Sequence, residues 1–216
     1  MTTAGLVLAA GSSRRMGSPK QLLVIDGKPL LELVVAHANG SKLDQVVVVL
    51  GAAADEIRRR VDLGRATVLL NPDHATGMAS SLRAGLASLT DEVDRVVVIL
   101  GDQPEVDAAL LDRLLELQET SGLPAAALSF NGLLHPPVVL EREQWGDLMA
   151  LEGDVGCRAV IRARPELVAK VRVETDLTHP VDIDTPADYK RFNHLSPQGE
   201  GQGEGRELRD HRDQEV

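Results

Sequence analysis

LVLAAGSSRRMGSPKQLL, residues 6–23, runs an unbroken apolar stretch straight into a loop of glycine, serine and cations. The apolar stretch is continuous rather than alternating, which suits a strand buried on both faces of a parallel sheet. In an open α/β sheet, loops leaving the carboxyl ends of the strands turn their amides outward, where ligands gather. Gly11 and Gly17 let the backbone approach phosphate oxygens, Ser12 and Ser13 add donors, and Arg15 and Lys20 add charge. The spacing excludes two phosphate motifs: it is not GxGxxG, and Lys20 does not directly follow the second glycine as a Walker A lysine would. From these residues alone, a phosphate loop and a flexible turn with solvated cations stand equally open.

Further continuous apolar runs follow at Gln45–Leu50, Thr67–Leu70 and Arg95–Leu100, with Gly5–Ala9 as the first. Helical patterns separate them: LLELVVAHA with Pro29 at its first position, ADEIRRRV, ASSLRAGLASL and AALLDRLLELQE. This alternation predicts right-handed βαβ units, and therefore an open, mostly parallel sheet between two helical layers, an αβα sandwich. After about residue 124 the pattern loosens into PAAALSF, PVVL, two short helical stretches, ELVAKVRV and a helix opening at Pro186. That half predicts an antiparallel addition to the sheet. One domain is expected over residues 1–195. Residues 196–216, SPQGEGQGEGRELRDHRDQEV, bury too little to order themselves and read as a disordered acidic tail.

The formal charge of -10 repels nucleic acid and anionic membrane surfaces, and aromatics at 2% leave no stacking platform for single strands. The tail holds six acids and three arginines, so the rest of the chain is also acidic, and the amino-terminal loop stands out within it as basic. The first acid along the chain is Asp26. A single cysteine, Cys157, no signal-like amino terminus and no apolar run of membrane-spanning length predict a cytoplasmic protein.

Three further segments carry candidate chemistry. RVVVILGDQP places Asp102 just past a buried strand, where a carboxylate can hold Mg²⁺ as readily as it can cap a turn. VDIDTPADY puts Asp182 and Asp184 on one side of an extended strand, while Thr185 and Asp188 suit a helix start. NPDHATGMASSLRAGL sets Ser80 and Ser81 at a helix start, where they can serve as caps; His74 reads as a surface side chain.

LAAGSSRRMGSPK resembles the signature LAxGxxxRMGxxK of the molybdenum cofactor nucleotidyltransferases, within the superfamily that includes sugar-phosphate nucleotidylyltransferases. GDQP, NPDHATGMASSLRAG, HPPVVL, LEGDVGCRAVI and DIDTPAD are similar to further segments of that family, in order over roughly residues 4–192. The resemblance implies a Rossmann-like nucleotidyltransferase sheet. It places Arg15 and Lys20 on the triphosphate as catalytic cations beside Asp102. Leu8, Ala9, Ala10, Gly11 and Ser12 lie beside the nucleotide, with further contact from Asn71, Gly77, Ser80 and Ser81. It makes Asp102 and Asp182 the metal ligands, with Asp184 the runner-up, and sets His135, Gly153, Asp154 and Arg158 on the acceptor side. Arg14 has no counterpart and reads as a surface cation. Two positions depart from the pattern: Leu134 stands where glycine is usual, which puts the acceptor in question, and Cys157 where alanine is usual.

The activity so implied is Mg²⁺-dependent transfer of CMP from CTP to the phosphate of molybdopterin, with release of pyrophosphate. LAAG resembles the cytidylyltransferase branch and LAGG the guanylyltransferase branch, which sets CTP ahead of GTP. The alternatives are a GTP or sugar-phosphate enzyme, a non-catalytic cofactor carrier, and a nicotinamide-dependent oxidoreductase of the kind assigned to a nicotine-derived pigment on this fold. The expected partners are the nucleoside triphosphate, a molybdopterin-type acceptor and a molybdoenzyme that receives the product, with no nucleic acid and no membrane.

Overall fold

Each of the four apolar runs forms a strand. The computed structural model describes residues 1–12, 18–172, 183, 185 and 187–190. In chain order the elements are β1 (Thr3–Ala9), β2 (Val24–Ile25), β3 (Lys28–Pro29), α1 (Leu30–Gly40), β4 (Gln45–Leu50), α2 (Ala54–Arg60), β5 (Thr67–Leu70) and α3 (Met78–Ala87). They continue with β6 (Arg95–Leu100), α4 (Ala108–Ser121), β7 (Ala125–Phe130), β8 (Leu133–Glu141), α5 (Trp145–Met149), α6 (Arg158–Ala163) and β9 (Val168–Arg172).

Seven strands form one sheet in the order β5-β4-β1-β6-β8-β7-β9. β4, β1 and β6 pair in parallel, as do β4 with β5 and β7 with β9, whereas β8 is antiparallel to both its neighbours. The antiparallel addition is thus one strand, running against the other six. Pro136 and Pro137 lack the N–H that a ladder needs, and the pairing skips them: the register jumps from Ala127↔Val138 to Leu128↔His135.

β1 shows why the runs are continuous. Val7 and Ala9 face the cluster formed with α1, α2 and α4, while Ala4, Leu6 and Leu8 face the cluster formed with α3, α5 and α6. Both faces are therefore covered, and no polar alternation is tolerated. Local chemistry sets the helix ends. Asp107 accepts a hydrogen bond from the Leu110 amide at 2.8 Å at the start of α4, and Gly122, at φ 65°, ends it in the left-handed conformation.

Pro29 does not occupy the first position of α1. It pairs with Val24 in a two-residue hairpin whose turn, Asp26 and Gly27, has φ 48° and 80°, and α1 begins one residue later. At the amino edge of the sheet the buried Arg95 donates to Thr3 Oγ1 at 2.6 Å and Gln118 Oε1 at 2.8 Å, and Gln118 in turn donates to Glu141 at 2.8 Å. This network fixes β6, β1, α4 and β8 together at the end away from the basic loop. Among the described residues, no helix is long and apolar enough to cross a membrane.

α3 crosses β1 at Gly85, where an added Cβ would lie 2.3 Å from Leu6 Cδ1 and 2.7 Å from Cδ2. Leu6 is fully buried and has no room to retreat. Gly85→Ala should therefore lower stability by about 1–3 kcal/mol in urea unfolding, against the usual gain for glycine to alanine in a helix. An unchanged or raised midpoint would show that α3 can lift off β1.

Candidate functional site

β1 and β6 are neighbours, but the chain leaves β1 toward β4 on one side and leaves β6 toward β8 and β7 on the other. A crevice opens at the carboxyl ends of such a pair. One hydrogen bond extends the ladder past the strand ends: the Gly101 amide donates to the Leu8 carbonyl at 3.0 Å. A side chain there would be tight, because a Cβ would sit 3.0 Å from both the Ala9 Cβ and that carbonyl oxygen. The glycine loop and the GDQP turn consequently leave the sheet side by side.

Sequence reasoning passed over Gln21, although a polar residue buried between Lys20 and Leu22 is itself a signal. Its Nε2 donates to the carbonyls of Ala9, at 2.8 Å, and Gly11, at 3.1 Å, clamping the start of the loop from behind. Lys20 opens the short 3₁₀ turn Lys20–Leu22 and forms an ion pair with Asp102; the two side chains are 18% and 13% exposed. The side chains of Leu8, Ala9 and Ala10 are buried, so the loop offers backbone, together with exposed Gly11 and Ser12. No described atom would lie within 4 Å of a Cβ on Gly11, which leaves space over the backbone.

The Asp102 carbonyl accepts from the Ile183 amide at 3.3 Å, and Ile183 is fully buried with Ile25 and Leu30. The closing DIDTP segment therefore reaches the GDQP turn through Ile183. Thr185 and Asp188 form a reciprocal cap: the Thr185 amide donates to the Asp188 carboxylate at 2.8 Å, and the Asp188 amide to the Thr185 hydroxyl at 3.2 Å. Arg15, Asp182 and Asp184, with Ser13, Arg14 and Gly17, lie outside the described residues. Among those described, no group of three or more His, Cys, Asp or Glu side chains could hold a metal. One carboxylate at a crevice, already balancing a cation, nevertheless suits Mg²⁺, which takes one or two carboxylates and completes its shell with water and phosphate oxygens.

Ser80 and Ser81 do not cap α3. They are buried inside its first turns and accept both Nδ2 hydrogens of Asn71, at 2.9 and 3.0 Å, while the side-chain Oδ1 of Asn71 accepts from the Asp73 amide at 2.9 Å. The helix-start signal was a loop-bracing signal, and the Asn71 side chain shapes the 71–77 loop. His74 is half-buried, not a surface residue: its Nδ1 lies 3.1 Å from the Asn71 carbonyl oxygen, and its ring packs over Gly51 beside the Ala10 carbonyl.

Because β8 runs against β6, with Val138 opposite Val98, its beginning lies at the carboxyl edge of the parallel strands. His135 therefore shares an edge with Asp102; its ring stands edge-on to Phe130, with centroids 5.8 Å apart. Leu134 points into the core at 4% exposure, among the apolar residues packed with α3, α5 and α6. Asp154 is exposed and faces the start of α3. Its Oδ1 lies 3.4 Å from the Met78 amide, and the Gly153 carbonyl accepts from the Ala79 amide at 3.1 Å, so the 153–154 segment caps α3 from across the site. Gly77, at φ 115°, permits the crossing, since a Cβ there would be 2.3 Å from the Gly153 carbonyl. Arg158 opens α6, which packs on β8, and its Nε is buried with no hydrogen-bond partner among the described residues.

The fold and these motifs match known proteins. Residues 5–170 match the family model of the MobA-like NTP transferase domain. The chain is 32% identical over 194 residues to the nicotine blue oxidoreductase of Paenarthrobacter nicotinovorans, covering 84% of this chain and 91% of that protein. A Mycobacterium sp. strain JC1 homologue of Mycobacterium tuberculosis Rv0371c superposes with a TM-score of 0.80 at 35% identity, covering 89% of this chain and 95% of the other. The Rv0371c complex with manganese gives a TM-score of 0.77 at 29% identity over 90% of this chain and 100% of the other. The chain belongs to the MobA-like NTP transferase family and is an enzyme of the nucleotidyltransferase class.

Cys157 stands directly before α6 and is buried at 2% exposure. Burial pushes its thiol from 9.0 up to about 12, against the smaller opposing pull of Arg158. The folded chain therefore keeps a proton that the unfolded chain loses, and stability should fall as pH rises from about 9 toward 12. At pH 8, iodoacetamide should modify the native protein at least about 100-fold more slowly than the urea-unfolded chain. Comparable rates would overturn the buried, protonated assignment.

Proposed function

We propose that this chain transfers a nucleotidyl group from a nucleoside triphosphate, CTP ahead of GTP, to the phosphate of molybdopterin. The observation that carries the reading is the pairing of Lys20 with Asp102 at the crevice between β1 and β6, beside a glycine loop in an acidic protein. An oxygen of the acceptor phosphate attacks the α-phosphorus. The bond from that phosphorus to the bridging oxygen breaks, and pyrophosphate leaves with the electron pair. No side-chain nucleophile is needed, because the acceptor phosphate is already an anion at neutral pH, and Cys157 is buried and protonated.

Catalysis then consists of positioning and charge stabilisation. Lys20 and Arg15 bind the triphosphate and meet the negative charge that builds on the departing pyrophosphate. Asp102 holds Mg²⁺, with Asp182 as the second ligand and Asp184 as its alternative; the approach of Ile183 to the GDQP turn supports that choice. Bound there, the metal neutralises charge on the phosphates. The backbone of Gly11 and Ser12 and the loop from Asn71 to Gly77 line the nucleotide side, while His135 and Arg158 face the acceptor. The manganese complex of a 29%-identical relative supports a divalent cation.

A second reading has its own observation: the 32%-identical relative is named an oxidoreductase. One assay separates them. Purified protein with Mg²⁺, molybdopterin and each NTP in turn should release pyrophosphate with CTP. No release with any NTP, alongside oxidation of a nicotinamide cofactor in the presence of nicotine blue, would replace the transferase reading with the second. Asp102→Ala should lower turnover by at least about 100-fold while leaving the circular dichroism spectrum unchanged. Retained turnover would remove Asp102 from the metal.

A further inference from the structure

We infer that residues 151–156 form a strap through which nucleotide binding positions the acceptor side, with Gly77 and Asp154 as the positioning residues of that coupling. The inference rests on the nucleotidyl-transfer reading.

The strap leaves α5, where the Leu151 amide donates to the Leu148 carbonyl at 3.2 Å, and then lies against the first two turns of α3. Its attachments there come from different directions. The Arg83 guanidinium binds the Leu151 carbonyl. The Ala79 amide donates to the Gly153 carbonyl at 3.1 Å, and the Met78 amide faces Asp154 Oδ1 at 3.4 Å. Met78 Sδ lies over Gly156, 2.5 Å from where a Cβ would stand, and Gly77 fits directly against the Gly153 backbone. Every one of these partners belongs to α3 or to the residue before it. Between its ends, Glu152 to Val155 are exposed.

Both ends of this linkage are tied to candidate substrate contacts. On one side, Ser80 and Ser81 of α3 hold Asn71, so the start of α3 and the 71–77 loop move as one piece. On the other, the strap runs into Cys157, buried at 2% exposure, and then directly into Arg158. A displacement of the nucleotide wall is therefore passed through packed backbone to the first residue of α6. Contiguous contact of this kind carries coupling when one ligand prefers a particular arrangement of the linkage. Asp154 acts here by accepting the Met78 amide at 3.4 Å.

Hydrogen exchange and steady-state kinetics test this together. Adding Mg²⁺ and CTP to the full-length protein should slow amide exchange in residues 151–157. Asp154→Ala should abolish that slowing and raise the KM for molybdopterin at least about 5-fold, with kcat and the CTP dissociation constant changed by less than about 2-fold. Asp154→Asn keeps an oxygen for the Met78 amide and should restore both readouts. If Asp154→Asn fails as Asp154→Ala does, the carboxylate charge meets the acceptor directly and the positioning role is overturned. If CTP binds and exchange in 151–157 does not change, the coupling is overturned while nucleotidyl transfer stands. If neither CTP nor GTP binds the wild-type protein, the transfer reading falls and takes the coupling with it.

Discussion

The parallel pairing of β1 with β6, continued by the hydrogen bond from Gly101 to Leu8, is the constraint from which the rest of the site follows. Without a side chain at residue 101 the two strands stay in register to their last residues, and the loops that leave them emerge next to each other. One loop brings Lys20 and the other Asp102, two groups 82 positions apart in sequence that meet as an ion pair. The reversal of chain direction on either side of this pair keeps the crevice open, and β8, running the other way, brings His135 to the same edge. The carboxyl edge thus collects polar groups from three separate parts of the chain.

The opposite edge behaves differently. Arg95 is a buried cation satisfied on several sides by Thr3, Gln118 and Glu119, in a network that extends to Glu141. Removing one partner of such a network leaves a buried polar group without compensation, so the arrangement favours a single geometry. The Lys20–Asp102 pair is less buried and sits among loops, so either group can change partners at lower cost. One sheet therefore has a fixed end and an adaptable end, and charge is used for different purposes at each.

Much of this was legible in the sequence because parallel strands covered on both faces must be apolar throughout. Gln45–Leu50, Thr67–Leu70 and Arg95–Leu100 appear with the expected bounds, and the first strand differs only in starting at Thr3. The Asp26-Gly27 turn was also readable, since that dipeptide favours a tight hairpin, but the proline beside it pointed to a helix start instead. The contacts that Ser80, Ser81, Leu134 and Asp154 make escape the sequence for one physical reason. Local sequence gives a residue's hydrogen-bonding capacity and its position along an element, but not which distant backbone will arrive to use that capacity. Asp154 finds Met78 across 76 positions, and no spacing rule spans that gap.

The glycine-on-glycine crossing of residues 77 and 153 also limits how the enzyme can change over time. A side chain at either position adds bulk or backbone strain at a contact shared by both halves of the site, so alterations there cannot be selected for one substrate alone. Residue 154 lies beside that crossing, with Oδ1 3.4 Å from the Met78 amide. The exposed positions 152 and 155 carry no such obligation. Divergence toward a new acceptor would find its freedom there, on the outer surface of a segment whose inner surface is already committed.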